Sequence, residues 1–202
     1  MFGHKLIFTG RSKYSGRLNV YSDFGYKYIS TGALTQSGGL VKDVWDPVLK
    51  KFARKNKSWL ILGLSGGTAA LIIAKKYHPA RLVGVEIDPL MIELGQKYLN
   101  LSKIKNLDII ISDARAYIAD SEEKFDYILV DMYLGDQIPE FVYASGFIKK
   151  LGQLGQFVIF NHLFYDQGKR FLAQKLVASL KSVFPRVDLM HKLTNLLIIC
   201  SH

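Results

Sequence analysis

Residues 60 to 70 read Leu60-Ile61-Leu62-Gly63-Leu64-Ser65-Gly66-Gly67-Thr68-Ala69-Ala70. An apolar run that breaks on glycine and resumes as Thr-Ala-Ala is a strand feeding a helix through a tight turn. Glycines at 63 and 67, with small Ser65 between them, let a ligand come close to the backbone and to the helix N-terminus. The spacing departs from the dinucleotide pattern G-x-G-x-x-G, and no Lys-Ser/Thr follows as in a phosphate loop, so a nucleotide phosphate is not the favoured occupant. The string also satisfies G-x-S-x-G, the nucleophile elbow of a hydrolase, with Ser65, Asp131 and His162 or His191 as nominal partners. That reading ranks below a nucleoside site because of the carboxylates described next.

Outward from this turn, apolar strands alternate with helical segments. The strands are 59–63, 81–87, 107–111, 125–131 and 155–162; helices are expected over 67–76, 89–99, 114–119, 139–151 and 165–180. Strands so uniformly apolar are buried on both faces, which predicts a parallel sheet between helices with right-handed crossovers. The last two strands, 186–191 and 195–201, are separated by too few residues for a parallel crossover and should pair antiparallel. Before the alternation begins, four short strand-like runs with a hairpin at Asp23-Phe24-Gly25 predict a small antiparallel ribbon, KLIFTG, RLNVYSD, GYKYIST and ALTQS. Asp43 is expected to cap a connecting helix with Pro47 in its first turn. The domain reading is therefore a β-ribbon over 1–42 and an α/β nucleoside-binding catalytic unit over 43–202.

Ligands of such sheets sit beyond the carboxyl ends of the strands, where strand order reverses. Besides the glycine turn, three strand ends there carry informative residues. Glu86, about twenty residues after the glycine turn, is placed to accept from both hydroxyls of a ribose. Asp113, followed by Ala114, could meet an adenine amino group or cap the next helix; Asp88 fits a helix cap. Asp131 follows the apolar run Tyr127-Ile128-Leu129-Val130 with no basic neighbour in sequence, a placement that stability alone explains poorly. Tyr133, Asp136 and Glu140 follow, and with Asp46 they would make an acidic acceptor pocket; Phe164 and Tyr165 are further candidates for its wall. The five histidines are scattered without ligand spacing, so no metal is expected.

Composition narrows the class. The 202 residues are 49% hydrophobic and 12% aromatic, enough for one sizeable core. The apolar run 59–74 is broken by glycines and falls short of a membrane helix, and the N-terminal stretch lacks a signal-peptide pattern. The single Cys200, in an apolar run, forbids an internal disulfide and reads as a buried thiol. A cytoplasmic protein with no membrane partner is expected. The net charge of +10 is uneven: up to Lys57 there are eleven Lys and Arg against three Asp, and beyond it sixteen against fourteen. A solvated basic face is the plainer explanation, nucleic-acid attraction the less favoured one. No interleaved aromatic platform is visible in the sequence.

The strings ILGLSGGTAA, VGVEIDPLMIELGQKYLNL, DIIISDARAYI and FDYILVDMYLGDQIPEFVYASGFIKKL resemble the spermidine synthase-like family, in the branch with a G-x-G-G-G-T turn, over about residues 14–162. The resemblance implies an α/β, Rossmann-like class I fold that binds S-adenosylmethionine (SAM), its mostly parallel sheet closed by a C-terminal antiparallel hairpin and preceded by the β-ribbon. It implies S-adenosylmethionine or decarboxylated S-adenosylmethionine as donor, with Gln36, Gly63, Ser65, Gly67, Glu86, Asp113 and Ala114 around it. It makes Asp131 the catalytic carboxylate, and Tyr133 and Asp136 candidates at a small-molecule amine acceptor. A homodimer is left open. The family's usual residues are absent at several points: Ser15 follows Tyr14, Gly66 replaces an acid that grips the donor's amine, Trp45-Asp46 stands for Tyr-His or Tyr-Gln, and Leu134 stands for a second loop acid. These departures keep three functions in view: aminopropyl transfer to a small amine, methyl transfer from intact S-adenosylmethionine, and non-catalytic nucleoside binding, against which the intact Asp131 argues.

Overall fold

The computed structural model describes residues 4–32 and 34–202. Met1 to Gly3, and Ala33 of the expected ALTQS strand, lie outside them. The first four strands, β1 (Lys5–Ser12), β2 (Gly16–Asp23), β3 (Tyr26–Thr31) and β4 (Leu34–Gly38), form an antiparallel sheet in sequence order. One face carries Leu18, Val20 and Ile29, all fully buried against Met91, Leu94 and Leu99. Period-two alternation gives this sheet a buried face and an open one.

Helix α1 (Val41–Phe52) follows, and here two local expectations fail. Leu40 occupies the cap without a side-chain bond, Asp43 lies within the first turn rather than at the cap, and Pro47 sits well inside the helix. An interior proline costs roughly 3 kcal/mol because the carbonyl four residues back loses its donor. Burial of Trp45, Val48 and Leu49 against Trp59, Ile73, Tyr127 and Leu197 offsets it, at about 1.5–3 kcal/mol per large apolar side chain.

The remaining chain alternates as expected: β5 (Ser58–Leu62), α2 (Thr68–Tyr77), β6 (Arg81–Glu86), α3 (Pro89–Tyr98), β7 (Leu107–Ile111), α4 (Ala114–Asp120), β8 (Phe125–Val130), α5 (Ser145–Leu154), β9 (Gly155–Leu163), α6 (Gln167–Lys181), β10 (Arg186–Lys192) and β11 (Asn195–Ser201). The seven strands run in the order β10-β11-β9-β8-β5-β6-β7. Pairings among β9, β8, β5, β6 and β7 are parallel, and β11 joins β9 and β10 antiparallel. The chain leaves β5 towards β6 and β7, then returns to β8 on the other side of β5. That reversal opens the sheet's crevice at the ends of β5 and β8.

Gly63 explains why the crevice can form. The Asp131 amide donates to the Leu62 carbonyl at 2.8 Å, and a methyl on Gly63, which lies at φ +85°, would collide with the Asp131 carbonyl. The single helix expected over 139–151 is instead a 3₁₀ turn over Glu140–Tyr143, an extended Ala144, and then α5. The break lets Phe141 face the crevice while Phe147, Ile148 and Leu151 pack in the core beside the sheet.

Asp88 ties the two sheets together. Its Oδ1 accepts from the Leu90 amide at the start of α3, and its Oδ2 accepts the Ser12 hydroxyl at 2.5 Å and the Ser15 hydroxyl at 2.6 Å. Asp88→Ala should lower unfolding free energy by roughly 3 kcal/mol, from a lost cap plus two hydrogen bonds to a charged acceptor. Urea denaturation measures it; a loss below about 1 kcal/mol would mean the hydroxyls are equally content in water.

Candidate active site

Beyond the carboxyl ends of β5, β6, β7 and β8 lies a cavity of about 240 Å³. Of the residues expected there, Gln36, Gly63, Ser65, Glu86, Asp113, Ala114, Asp131 and Tyr133 line it, and Gly67 and Asp136 do not. Gly67 begins α2 in the left-handed region, behind the turn. No Lys or Arg is among the lining residues.

Glu86 ends β6 and is 9% exposed. Its Oε2 accepts from the Ser65 amide at 2.7 Å and its Oε1 from the Asp88 amide at 3.0 Å. The carboxylate therefore holds the glycine turn in shape, with Ser65 itself in the left-handed region at φ +51°. Burial raises its pKa, and the amide donors act against that rise. Asp113 caps α4 through Oδ1, accepting from Arg115 and Ala116 at 2.7 and 3.1 Å. Both bonds end on one oxygen, so Oδ2 has no partner among the described residues. Gln36, on β4, donates from its amide to Thr31 Oγ1 at 2.8 Å and to the Gly135 carbonyl at 3.3 Å, linking the ribbon to the loop after β8.

Asp131 is the most constrained group. Oδ2 accepts the indole N–H of fully buried Trp45, and Oδ1 accepts the side-chain amide of Asn161, both at 2.8 Å. The donors behind it are aligned in series: Thr194 donates to Asn195, Asn195 to Asn161, and Asn161 to Asp131. Both of these donors are neutral, so burial prevails and lifts the carboxyl from 3.8 to about 6, with the Asn161 and Trp45 bonds pulling the other way. Because folding raises this pKa, the native state loses stability as pH climbs from 3.8 through about 6. Trp45→Phe removes one donor and should move the Asp131 midpoint above 6, read by a carbon-13 pH titration of that carboxyl; an unmoved midpoint would show the indole bond to be idle.

The sequence marks Trp45 only as a departure from the family pattern, and it does not single out Asn161 or Asn195. No local pattern joins a helix residue to two strand residues more than a hundred positions away; a tryptophan and two asparagines in otherwise apolar segments are the only hint. Tyr133 donates to the Asn161 carbonyl at 2.6 Å, and burial, followed by the charge of Asp131, holds its phenol well above the usual 10.

The wider acidic pocket does not assemble. Asp136 pairs with Lys169 at 2.9 Å and accepts the Tyr165 hydroxyl, Asp46 pairs with Lys76, and Glu140 is exposed in the 3₁₀ turn. None of the three lines the cavity, nor do Phe164 and Tyr165; the Phe164 ring packs against His191 instead. The nominal hydrolase triad also fails. The Ser65 hydroxyl donates to the Gln36 carbonyl at 3.2 Å, while His162 is engaged by Tyr143 and the Leu163 carbonyl. Among the described residues no cluster of three or more His, Cys, Asp and Glu could hold a metal, and no helix is long and apolar enough to cross a membrane.

The sheet order and the crevice define an α/β fold of the Rossmann-like methyltransferase class. Residues 46–194 match the spermine/spermidine synthase domain, so the chain belongs to that family. A polyamine aminopropyltransferase of Vibrio vulnificus is 32% identical over 106 residues, 51% of this chain and 36% of that one. An eEF1A lysine and N-terminal methyltransferase homolog of Drosophila pseudoobscura is 28% identical over 148 residues, 65% of this chain and 21% of that one. The matched stretches thus span about a third or less of these relatives. A spermidine synthase solved with the transition-state analogue AdoDATO superposes with a TM-score of 0.80 at 16% identity, covering 98% of this chain and 73% of that one, which shows the shared fold.

Proposed function

We infer that the chain is a transferase that takes a sulfonium nucleoside as donor and a small amine as acceptor, with decarboxylated S-adenosylmethionine the donor best matched to the site. The observation that carries this reading is a cavity that gathers Glu86, Asp113 and Asp131 with no Lys or Arg on its wall. Three carboxylates without a cationic counterpart favour a positively charged ligand and penalise one that brings its own carboxylate.

Glu86 would accept from the ribose hydroxyls, and the free oxygen of Asp113 from the adenine amino group. Gly63 and Ser65 would lie against the nucleoside. The donor supplies a carbon made electrophilic by a positive sulfur. Asp131 has the remaining work: an alkyl amine near pKa 10 arrives protonated, the carboxylate binds it as the cation and then takes its proton. The neutral nitrogen forms the new C–N bond as the C–S bond breaks, and methylthioadenosine leaves with the sulfur's electron pair. A base of pKa about 6 is ionised at neutral pH and near enough to it to accept the proton. Met132, Tyr133 and Phe141 line the same space and would keep water from the reacting atoms once the ligands fill it.

Methyl transfer from intact S-adenosylmethionine is the second reading, and one feature favours it. A side chain at Gly66, where family resemblance places the donor-gripping acid, would collide with Ile29, Ser37 and Leu99. The missing acid removes one repulsion to the intact donor's carboxylate. Calorimetry with S-adenosylmethionine, its decarboxylated form and methylthioadenosine separates the two. Decarboxylated donor bound at least tenfold more tightly than the intact one is expected; the reverse order transfers the assignment to methylation, and no binding by any of the three overturns both.

A further inference from the structure

The open face of the N-terminal sheet carries residues that the fold does not need. On β2 and β3 the side chains opposite the buried Leu18, Val20 and Ile29 are Arg17, Asn19, Tyr21, Tyr26 and Tyr28, with Arg11 beside them on β1. Tyr21 stacks on His4 at 4.5 Å and on Tyr28 at 5.3 Å, a three-ring cluster on the surface. At the hairpin end Tyr26 is 72% exposed and Phe24 is 71% exposed.

Phe24 is the telling residue. With Gly25 it makes the two-residue turn, and both have positive φ, +43° and +88°. Such turns favour Asn-Gly or Asp-Gly, and a bulky side chain there is strained. A ring that is strained and exposed contributes little to folding. At the opposite end of the sheet Arg11 and Arg17 face each other directly across β1 and β2. Like charges in that register repel, and neither arginine makes an ion pair among the described residues. Asp23, beside Tyr26, is the one carboxylate in the four strands.

We propose that this face docks a single-stranded nucleic acid, its bases stacking on the Phe24, Tyr26, Tyr21 and Tyr28 rings and its phosphates held by Arg11 and Arg17. Unstacked bases on an aromatic sheet face, with a basic track for the backbone, are how strands are bound without dependence on sequence. Arg17 and Tyr21 are four residues apart on one strand, about 13 Å, within reach of neighbouring nucleotides of one strand. The charge is in the right place: five Lys and Arg against Asp23 within the four strands and their turns. The arginine end is also where the β1–β2 turn lends Ser15 to the cavity. The rings all belong to the one hairpin 21–28, where pairing sets Tyr21 opposite Tyr28, and it is Arg11 of β1 that only strand pairing brings beside Arg17. A duplex would bury no base on the rings, and an anionic membrane would need lysines around the tip on the ring face, whereas Lys27 lies on the opposite face of β3 from Tyr26 and Tyr28.

Fluorescence anisotropy of a labelled twelve-nucleotide oligouridylate with the whole chain tests the proposal. Saturable binding is expected, weakened about tenfold by Tyr28→Ala and by Phe24→Asn, with a salt slope that falls by about one on Arg11→Ala. Circular dichroism and methylthioadenosine affinity of the same variants should be unchanged, since none of these residues lines the cavity. Absence of saturable binding overturns the proposal, as does equal binding by the tyrosine and arginine variants. Preference for a duplex of the same length, or for phosphatidylserine vesicles, overturns it too. The test does not depend on what the cavity transfers.

Discussion

Asp131→Asn should lower turnover about a thousandfold, the range lost with a positioned general base, while nucleoside affinity stays within a few-fold. The substitution removes the charge and spoils its surroundings. Trp45 presents an N–H that can only donate, and the Asn161 amide is fixed by the bond it accepts from Asn195. An asparagine at 131 must therefore turn its own N–H₂ towards one of two donors. It cannot bind an ammonium as a counter-ion or take its proton. Steady-state kinetics measures the loss, and retained methylthioadenosine binding shows that the cavity is intact. Turnover equal to the parent would remove Asp131 from the chemistry.

Glu86→Ala carries the second large effect, because the carboxylate both shapes the turn and faces the cavity. Donor affinity should fall by about 1–3 kcal/mol, the scale of hydrogen bonds to a charged group. Stability should fall as well, since the Ser65 and Asp88 amides lose their acceptor in a buried place. Calorimetry records the first and a thermal melt the second. Normal affinity in a variant that melts earlier would leave Glu86 a purely structural residue and refute the ribose assignment.

The two effects differ in how far the sequence foretold them. The turn at 63–67 and the acid about twenty residues on are local signals, because close backbone approach demands glycine and a strand end in this topology always points at the crevice. Uniformly apolar strands announced a sheet covered on both faces, which holds for β5, β6, β8 and β9 but not for the edge strand β7, which has no buried residue, and a short loop between the last two strands announced their antiparallel pairing. Pairwise contacts distant in the chain were not legible. Nothing local says that Trp45 reaches Asp131, that Asp88 clasps Ser12 and Ser15, or that Lys169 has already neutralised Asp136. The acidic acceptor pocket failed for this last reason: carboxylates close in sequence need not face the same space. Pro47 and Ala144 failed because burial of Trp45 and the inward turn of Phe141 outweighed the local rules for where helices begin and continue.

A crystal structure with methylthioadenosine bound would test the central claim directly. The account predicts both ribose hydroxyls within hydrogen-bond distance of Glu86, the adenine amino group against Asp113, and the methylthio end directed at Asp131. A nucleoside found elsewhere, or one held in this crevice with its ribose turned away from Glu86, would contradict it.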